Sequence, residues 1–484
     1  MTLADLNLMA ALPEIWLLCA VSAIMLIDLF IPDERRDTTY VLSLLALAGC
    51  AGMLFTGFSW APAAAFMGMF VADPMSQVLK IGMTVGTALV LVYGRTYAAD
   101  RAIFRGELFT LSLFSLLGMM IMASATNFLT LYVGLELLSL SLYALVALQR
   151  DSVTATEAAM KYFVLGALAS GMLLYGLSML YGATGSLDIH LVAQKIASGA
   201  ANKTLITFGL VFVVTGLGFK LGNVPFHMWV PDVYQGSPTL VTQLISSAPK
   251  LAAFAFVMRL LAQALPGVAD EWRGMLVVLA VLSIAIGNVV AIAQTNLKRM
   301  FAYSTISHMG FLLLGILAGT IEGYAASMFY AIAYMLMAAA GFGLIMLLAR
   351  QGFEADRLAD FKGLAKRNPW FALMMLMVMF SMAGLPVFVG FFSKLAVLKA
   401  VVAIDLVALA VIAVVFSLIG AFYYLRVVKL MFMDEPQDSA PLVAKPDMVL
   451  LLSVNCLALL VLGLMPDSLL TLCHKSVQIS LGLL

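Results

Sequence analysis

Long apolar runs divided by short polar stretches fill almost the whole chain. A helix needs about 20 apolar residues to cross a hydrocarbon core ~30 Å thick, and the runs reach that length about 14 times. They predict helices near residues 12–31, 39–60, 74–94, 107–124, 127–149, 157–182, 204–234, 237–262, 274–294, 299–319, 322–350, 370–400, 404–433 and 447–465. The expected fold class is an all-α polytopic membrane protein.

Two of these segments are too long and contain helix breakers. Gly216, Gly218, Gly222 and Pro225 surround Lys220, and Gly384, Pro386 and Gly390 precede Lys394. Proline removes a backbone donor, and inside a bilayer the freed carbonyls need neighbours or water. Both helices are therefore expected to be discontinuous, although glycine and proline are commoner in membrane helices generally. Paired interrupted helices at matching places in two halves point to an inverted repeat with sites near the midplane. Five crossings per repeat, an odd number, reverse the starting side of the second. The expected organisation is an N-terminal three-helix segment (1–104), a first five-helix repeat (105–262), a second, inverted one (272–433) and a C-terminal helix (434–484).

Composition strengthens this picture. Hydrophobic residues make up 63% of the chain and charged ones 11%, where a soluble domain is roughly a quarter charged. The formal net charge of +1 leaves no basic footprint for nucleic acid. Cys19, Cys50, Cys456 and Cys473 lack metal or disulfide spacing and fit packing roles. No Lys or Arg precedes the first apolar run in MTLADLNLMAALPE, which suits a first spanning helix better than a signal peptide. With the N-terminus outside, roughly 16 Lys and Arg fall on the inner side and roughly 6 on the outer, an asymmetry that puts both termini outside. The longest inner connection, RQGFEADRLADFKGLAKRNP (350–369), carries mixed charges that suggest a short surface helix.

Five ionisable side chains interrupt the apolar segments: Glu136, Lys161, Lys220, Lys250 and Lys394. A charge at bilayer depth costs at least ~3 kcal/mol, so such residues face a protein interior or water and mark ion or proton paths. Glu136 falls near the middle of its helix, where a carboxylate needs a cation nearby to stay ionised. Lys161 lies close enough to a helix end to snorkel. Because the two differ in depth, water or a third group is expected between them. Lys220 sits at the first break. Lys250 follows Pro249, which frees a carbonyl. Lys394 lies beyond the Pro386 break, where a snorkelling lysine would look similar. His227 and His308 are weaker candidates, since histidine titrates near neutral pH but a membrane histidine also serves as a bond between helices. His190 and His474 fall in outer segments. Tyr423 and Tyr424 could supply hydroxyls to a water wire, but interfacial anchoring is the expected use, and Lys80 and Arg259 are expected as helix-end anchors.

The stretches GLGFKLGNVPFHMWVPDVYQGSPTLVTQLISSAPKLAAFAFVMRL (216–260), QTNLKRMFAYSTISHMGF (294–311) and AGLPVFVGFFSKLAVL (383–398) closely resemble the signature regions of the antiporter-like proton-translocating subunits of respiratory complex I. The likeness covers nearly the whole chain. VYQGSP and a lysine, not a glutamate, on the second broken helix narrow it to one subunit class of the bacterial NADH-quinone oxidoreductase. The lack of a long C-terminal extension argues against the class with a lateral helix.

The resemblance implies a 14-helix subunit in the membrane arm of a proton-translocating NADH:quinone oxidoreductase. Such a subunit binds no cofactor itself; NADH, FMN, iron–sulfur clusters and quinone belong to partner subunits. It implies a multi-pass place in the bacterial inner membrane, beside another antiporter-like subunit, with small subunits next to Glu136 and Lys161. Glu136 matches the family's essential glutamate, Lys161 a lysine that modulates it, and Lys250 the central-axis lysine. Lys394 matches the residue nearest the exit or the adjoining subunit. Lys220, His227 and His308 also match family positions. Two alternatives stay open: a subunit of a multi-subunit sodium–proton antiporter, which shares fold and Glu/Lys/Lys pattern, and a non-conducting assembly scaffold.

Overall fold

The computed structural model describes residues 6–437, 442 and 444–482. Residues 1–5 and 483–484, to which the expected common side of the two termini refers, lie outside the described residues. Helices α1 (Leu12–Asp28), α2 (Asp37–Thr56) and α3 (Pro74–Asp100) form the N-terminal segment. An antiparallel hairpin, β1 (Ala63–Ala65) and β2 (Phe70–Ala72), joins the last two. Then come α4 (Gly106–Ser124), α5 (Phe128–Val146), α6 (Val153–Thr184) and the short α7 (Ile189–Ala197). The next crossing is divided into α8 (Lys203–Leu221) and α9 (Trp229–Gly236). Its successor is divided into α10 (Thr239–Ser246) and α11 (Ala248–Val257), and runs on as a π-helical turn, Met258–Ala264. Helices α12 (Ala269–Ile292), α13 (Leu297–Ala318) and α14 (Ile321–Leu348) are continuous. After α15 (Leu364–Arg367), a further crossing is divided into α16 (Pro369–Ala383) and α17 (Val389–Ala403). The chain ends with α18 (Val407–Met433), α19 (Pro446–Leu464) and α20 (Pro466–Ser480).

Thirteen helices among the described residues are long and apolar enough to cross a membrane. Helices α16 and α17 have 15 residues each, too few singly, and complete one more crossing end to end. The predicted spans correspond to these elements. Three short features escaped prediction: the hairpin, α7 and α20. Among its described residues the 434–484 segment holds two helices, since α20 follows α19 and packs against α14 and α3.

Backbone pairing fixes which connections share a face. Thr126 N donates to Met69 O, Phe128 N to Leu187 O and Ile189 N to Thr126 O, gathering the hairpin, the α4–α5 turn and α7 on one face. Because α20 bonds to the start of α3 through Ser480 Oγ, which accepts from Met75 N, it lies there too; we call this the terminal face. On the opposite, loop face, Leu297 N donates to Asp356 O and Leu358 N to Thr295 O. There the 350–369 connection forms two short turns, Leu358–Phe361 and α15, with Leu358, Phe361 and Leu364 buried.

Both interrupted crossings stop in the same way. Gly222 N donates to Gly218 O and Phe219 O, and Asn223 N to Gly218 O; Gly384 N donates to Phe380 O and Ser381 O, and Leu385 N to Phe380 O. Gly222 has φ +83° and Gly384 φ +84°. This is a helix-terminating motif whose left-handed residue glycine adopts without penalty. The sequence reading placed the breaks at the prolines; glycine makes each stop, and Pro225 and Pro386 occupy the positions after a helix end where proline is common.

Enclosure differs sharply between crossings. The α10–α11 crossing is buried throughout and α13 and α14 nearly so, whereas α1, α18 and α19 expose most of their surface. A charge on α11 therefore has only protein around it. Two expected helix-end anchors prove to be interior instead. Lys80 is 2% exposed and pairs with Glu14 at 2.6 Å; Arg259 is 1% exposed and pairs with Asp73 at 2.8 Å.

On the loop face Glu354 gathers several helices. Tyr97 Oη (2.6 Å) and Thr239 Oγ1 (2.5 Å) donate to it, Arg101 pairs at 2.6 Å, and the buried Lys298 lies 3.9 Å away. Burial alone would raise the Glu354 carboxyl, but Lys298, Arg101 and the two hydroxyl donors outweigh it and hold the group below the usual carboxylate range. Its stabilising charge is thus complete at neutral pH and is lost only as the pH falls through that depressed value. Glu354→Ala strands two cations and is expected to cost about 3 kcal/mol, the low end for a broken buried pair because Glu354 is 31% exposed. Thermal unfolding of the purified variant, read as a lowered midpoint, checks this.

Candidate functional site

Helices that stop inside the protein leave their last carbonyls without intrahelical partners, and these ends carry about half a negative charge. Two of the sequence-predicted lysines sit on such ends. Lys250 Nζ donates to Leu221 O, the last residue of α8, at 3.1 Å. Lys394 Nζ donates to Met382 O at 3.1 Å and Ala383 O at 2.9 Å, closing α16, and to Ser417 Oγ at 3.0 Å. Lys220, in the last turn of α8, donates to Ser139 Oγ on α5 at 2.6 Å. Among the described residues, none of the three pairs with a carboxylate. Each ammonium is held by neutral acceptors, which stabilise the charge without fixing it as a salt bridge would.

Lys220 and Lys250 line one cavity of about 30 Å³ with Ser139, Tyr162, Trp229 and Pro249. That volume suffices for about one or two water molecules, and its polar lining could hold them. Glu136 sits one helical turn from Ser139 but makes no ion pair among the described residues; its Oε1 is buried without a hydrogen-bond partner. The nearby Tyr143 hydroxyl is likewise unpartnered. A carboxylate, a serine-bound lysine and an idle hydroxyl on α5 and α8 make a gap that water can bridge.

Beyond Lys250 the polar groups continue through aromatics. Its Nζ lies 5.6 Å from the Trp229 ring, and Trp229 packs edge-on against Tyr234, whose buried hydroxyl has no partner. Thr305 Oγ1 and Tyr334 Oη bond at 2.7 Å. His308, 3% exposed, sits between two hydroxyls: Nδ1 is 2.7 Å from Tyr330 Oη and Nε2 is 3.1 Å from Tyr424 Oη. Tyr424 also bonds Ser304 Oγ at 2.5 Å. Ser417, which holds Lys394, lies two turns before Tyr424 on α18, and the Phe311 ring that stacks on Tyr330 is 5.2 Å from Lys394 Nζ. Tyr423 and Tyr424 are 0% and 2% exposed, so the expected role as interfacial anchors is corrected: burial forces each hydroxyl to find a partner, and Tyr423 donates to Asn288 Oδ1 at 3.1 Å.

Lys161 lies apart from this row. It pairs at 2.8 Å with both Glu157 and Asp232, and Asp232 pairs at 2.8 Å with Arg299. These groups line a loop-face pocket of about 360 Å³, and the lysine side chain is 43% exposed. Lys161 thus snorkels, and Asp232 is the group that receives it. His227 occupies the α8–α9 break with a buried, unpartnered Nδ1. Sequence reasoning missed Asp232, Lys298, Tyr330 and Tyr334; the only available signal was the carboxylate following Pro231 in a segment already marked by its break.

The comparisons bear on this arrangement. A family model described as NADH:quinone oxidoreductase/Mrp antiporter, transmembrane, matches residues 125–420. The NADH-quinone oxidoreductase subunit N of Laribacter hongkongensis is 61% identical, with 100% of each chain covered. The chain belongs to the subunit N family. That of Thiobacillus denitrificans is 59% identical over 99% of each chain. Among solved structures, a chain of respiratory complex I from Thermus thermophilus with bound aureothin superposes with a TM-score of 0.82 at 32% identity, covering 95% of this chain and 98% of the other. A chain of the Mrp complex from Dietzia sp. DQ12-45-1b shares the fold, with a TM-score of 0.80 at 23% identity over 99% and 97%. The lysine row lies within the 125–420 segment common to this family, whereas the Lys80–Glu14 pair of α1 and α3 lies outside it.

Proposed function

We propose that this chain is a proton-translocating subunit of the membrane arm of a bacterial NADH-quinone oxidoreductase. Electron transfer from NADH to quinone, with FMN and iron–sulfur clusters in partner subunits, drives protons along Lys220, Lys250 and Lys394. The observation that carries this reading is that each lysine is held by hydroxyls or helix-end carbonyls and none by a carboxylate. Such an amine can take up and release a proton without breaking a salt bridge. Protons enter from the loop face near the α8–α9 break and pass through the small cavity to Lys250. They continue past His308 and Tyr424 to Lys394, which leads to an exit or to the adjoining antiporter-like subunit. Glu136 and Lys161 couple the row to small neighbouring subunits, and His227 assists at the break.

In this reading residues 105–262 and 272–433 are inverted five-helix repeats, flanked by 1–104 and 434–484. The identical stops at Gly222 and Gly384 support it. So do the matching close approaches of Gly118 to Gly134 between α4 and α5, and of Gly287 and Gly310 to the facing backbone between α12 and α13. The roughly 16 to 6 Lys and Arg asymmetry of the sequence supports the reading in which the loop face is inside and the terminal face outside.

Sodium dependence tests the function. NADH-driven proton uptake by the complex reconstituted in liposomes is expected to run undiminished in sodium-free buffer. A strict sodium requirement would favour antiport instead.

The breaks give a second prediction. An added Cβ at Gly384 would stand 2.9 Å from Lys394 Cδ, on a residue at φ +84°. Gly384→Ala therefore strains the stop by ~1–2 kcal/mol and displaces Lys394. Transfer through this chain is expected to fall roughly tenfold, about 1.4 kcal/mol, while Pro386→Ala, whose proline lies after the stop, leaves it nearly unchanged. Proton-flux traces of the two assembled variants check the contrast.

A further inference from the structure

The relay does not use the buried pair of Asp73 and Arg259. Asp73 caps α3, its Oδ1 accepting from Ser76 N at 2.8 Å, and its Oδ2 lies 2.8 Å from Arg259 Nη2. Arg259 also donates to Ala123 O through Nε (3.1 Å) and Nη2 (2.9 Å), and to Gln263 Oε1 through Nη1 (2.9 Å). With 1% and 2% exposure, Arg259 and Asp73 form the floor of a cavity of about 610 Å³ at the terminal face, which His190, Gln263, Tyr324 and Ser480 also line. A cavity of that size with a charged floor can fill with water.

The floor stands close behind the relay. Ala253 and Met122 line the Lys220–Lys250 cavity, while Arg259 and Ala123 meet at the outer floor. Ala253 and Arg259 are six residues apart on one continuous helical stretch, about 9 Å at 1.5 Å per residue. The intervening side chains, Phe254, Ala255, Phe256, Val257 and Met258, are apolar. A π-helical turn begins at Met258, and such turns recur at functional sites.

We infer that the cavity floored by Asp73 and Arg259 is a terminal-face proton port serving Lys250 directly, closed at rest by the short apolar plug above Ala253. This rests on the proton-translocating reading and adds a second outlet besides Lys394. Asp73 and Arg259 act as positioning residues: their pair holds the plug's outer end against α3 and α4 while the cavity supplies water to its far side.

Two experiments on the reconstituted complex test it, with Lys220→Met as reference. In the first, Leu481→Cys at the cavity mouth, in a Cys19→Ser background, is labelled from the terminal face with a membrane-impermeant trimethylammonium thiosulfonate. Flux before labelling is the internal standard. In the second, Asp73→Asn removes the charge but keeps a residue that caps helices equally well. The expected result in both is a proton-to-electron ratio between the wild-type and Lys220→Met levels, since the Lys394 outlet stays open, with NADH oxidation by an artificial acceptor intact. A wild-type ratio in either, alongside an impaired Lys220→Met, overturns the port and leaves the relay standing. A wild-type ratio in Lys220→Met overturns the relay, and the port with it.

Discussion

Lys220→Met is expected to abolish proton transfer through this chain while NADH oxidation by an artificial acceptor continues. Lys220 is the amine that joins α5 to the central cavity: its Nζ bonds Ser139 at 2.6 Å and its side chain lines the space shared with Lys250. Methionine fills nearly the same volume, and the loss of one hydrogen bond to a serine costs only ~1 kcal/mol. Assembly should therefore survive, and the lost function can be assigned to the missing proton carrier. Membrane-potential measurements on the assembled variant decide this; an unimpaired potential would remove Lys220 from the path.

Glu136→Gln carries the second largest expected effect, a loss of most transfer. Glu136 lies one helical turn from Ser139, the residue that holds the Lys220 ammonium, and a separation of about 7 Å is taken for the two charges. At an effective dielectric of about 20 their attraction is ~2.4 kcal/mol, enough to change a rate more than tenfold. Glutamine keeps the shape and removes the charge. The unpartnered Oε1 leaves Glu136 free to change partner, and drawing it toward a neighbouring subunit would release the hold on Lys220. Near-normal pumping by Glu136→Gln would sink this electrostatic switch even with Lys220 essential.

The lysine row was legible in the sequence because a charge in an apolar run is costly, so Lys220, Lys250 and Lys394 stood out without any structure. The breaks were legible too, though glycine proved to be the terminator where proline had been credited. What the row is bonded to was not legible. Nothing local in the sequence says that Lys250 reaches the end of α8 or that Lys394 turns back to cap α16. Tyrosines in apolar helices look the same whether they anchor an interface or line an interior, so Tyr424 was misread and Tyr330 and Tyr334 passed unnoticed. Lys80 and Arg259 fell near helix ends and were taken for anchors, because their partners Glu14 and Asp73 come from distant stretches of chain. Helix α20 was missed because its polar face lowers its hydropathy below that of a span.

Lys250 has no route to lipid, since the whole α10–α11 crossing is enclosed, and each proposed path, onward to Lys394 or out to the terminal-face cavity, runs through this lysine. The proton-to-electron ratio of the assembled, reconstituted Lys250→Met complex therefore tests the central claim most directly. The account predicts a fall to the Lys220→Met level with artificial-acceptor NADH oxidation unchanged, and a wild-type ratio would contradict it.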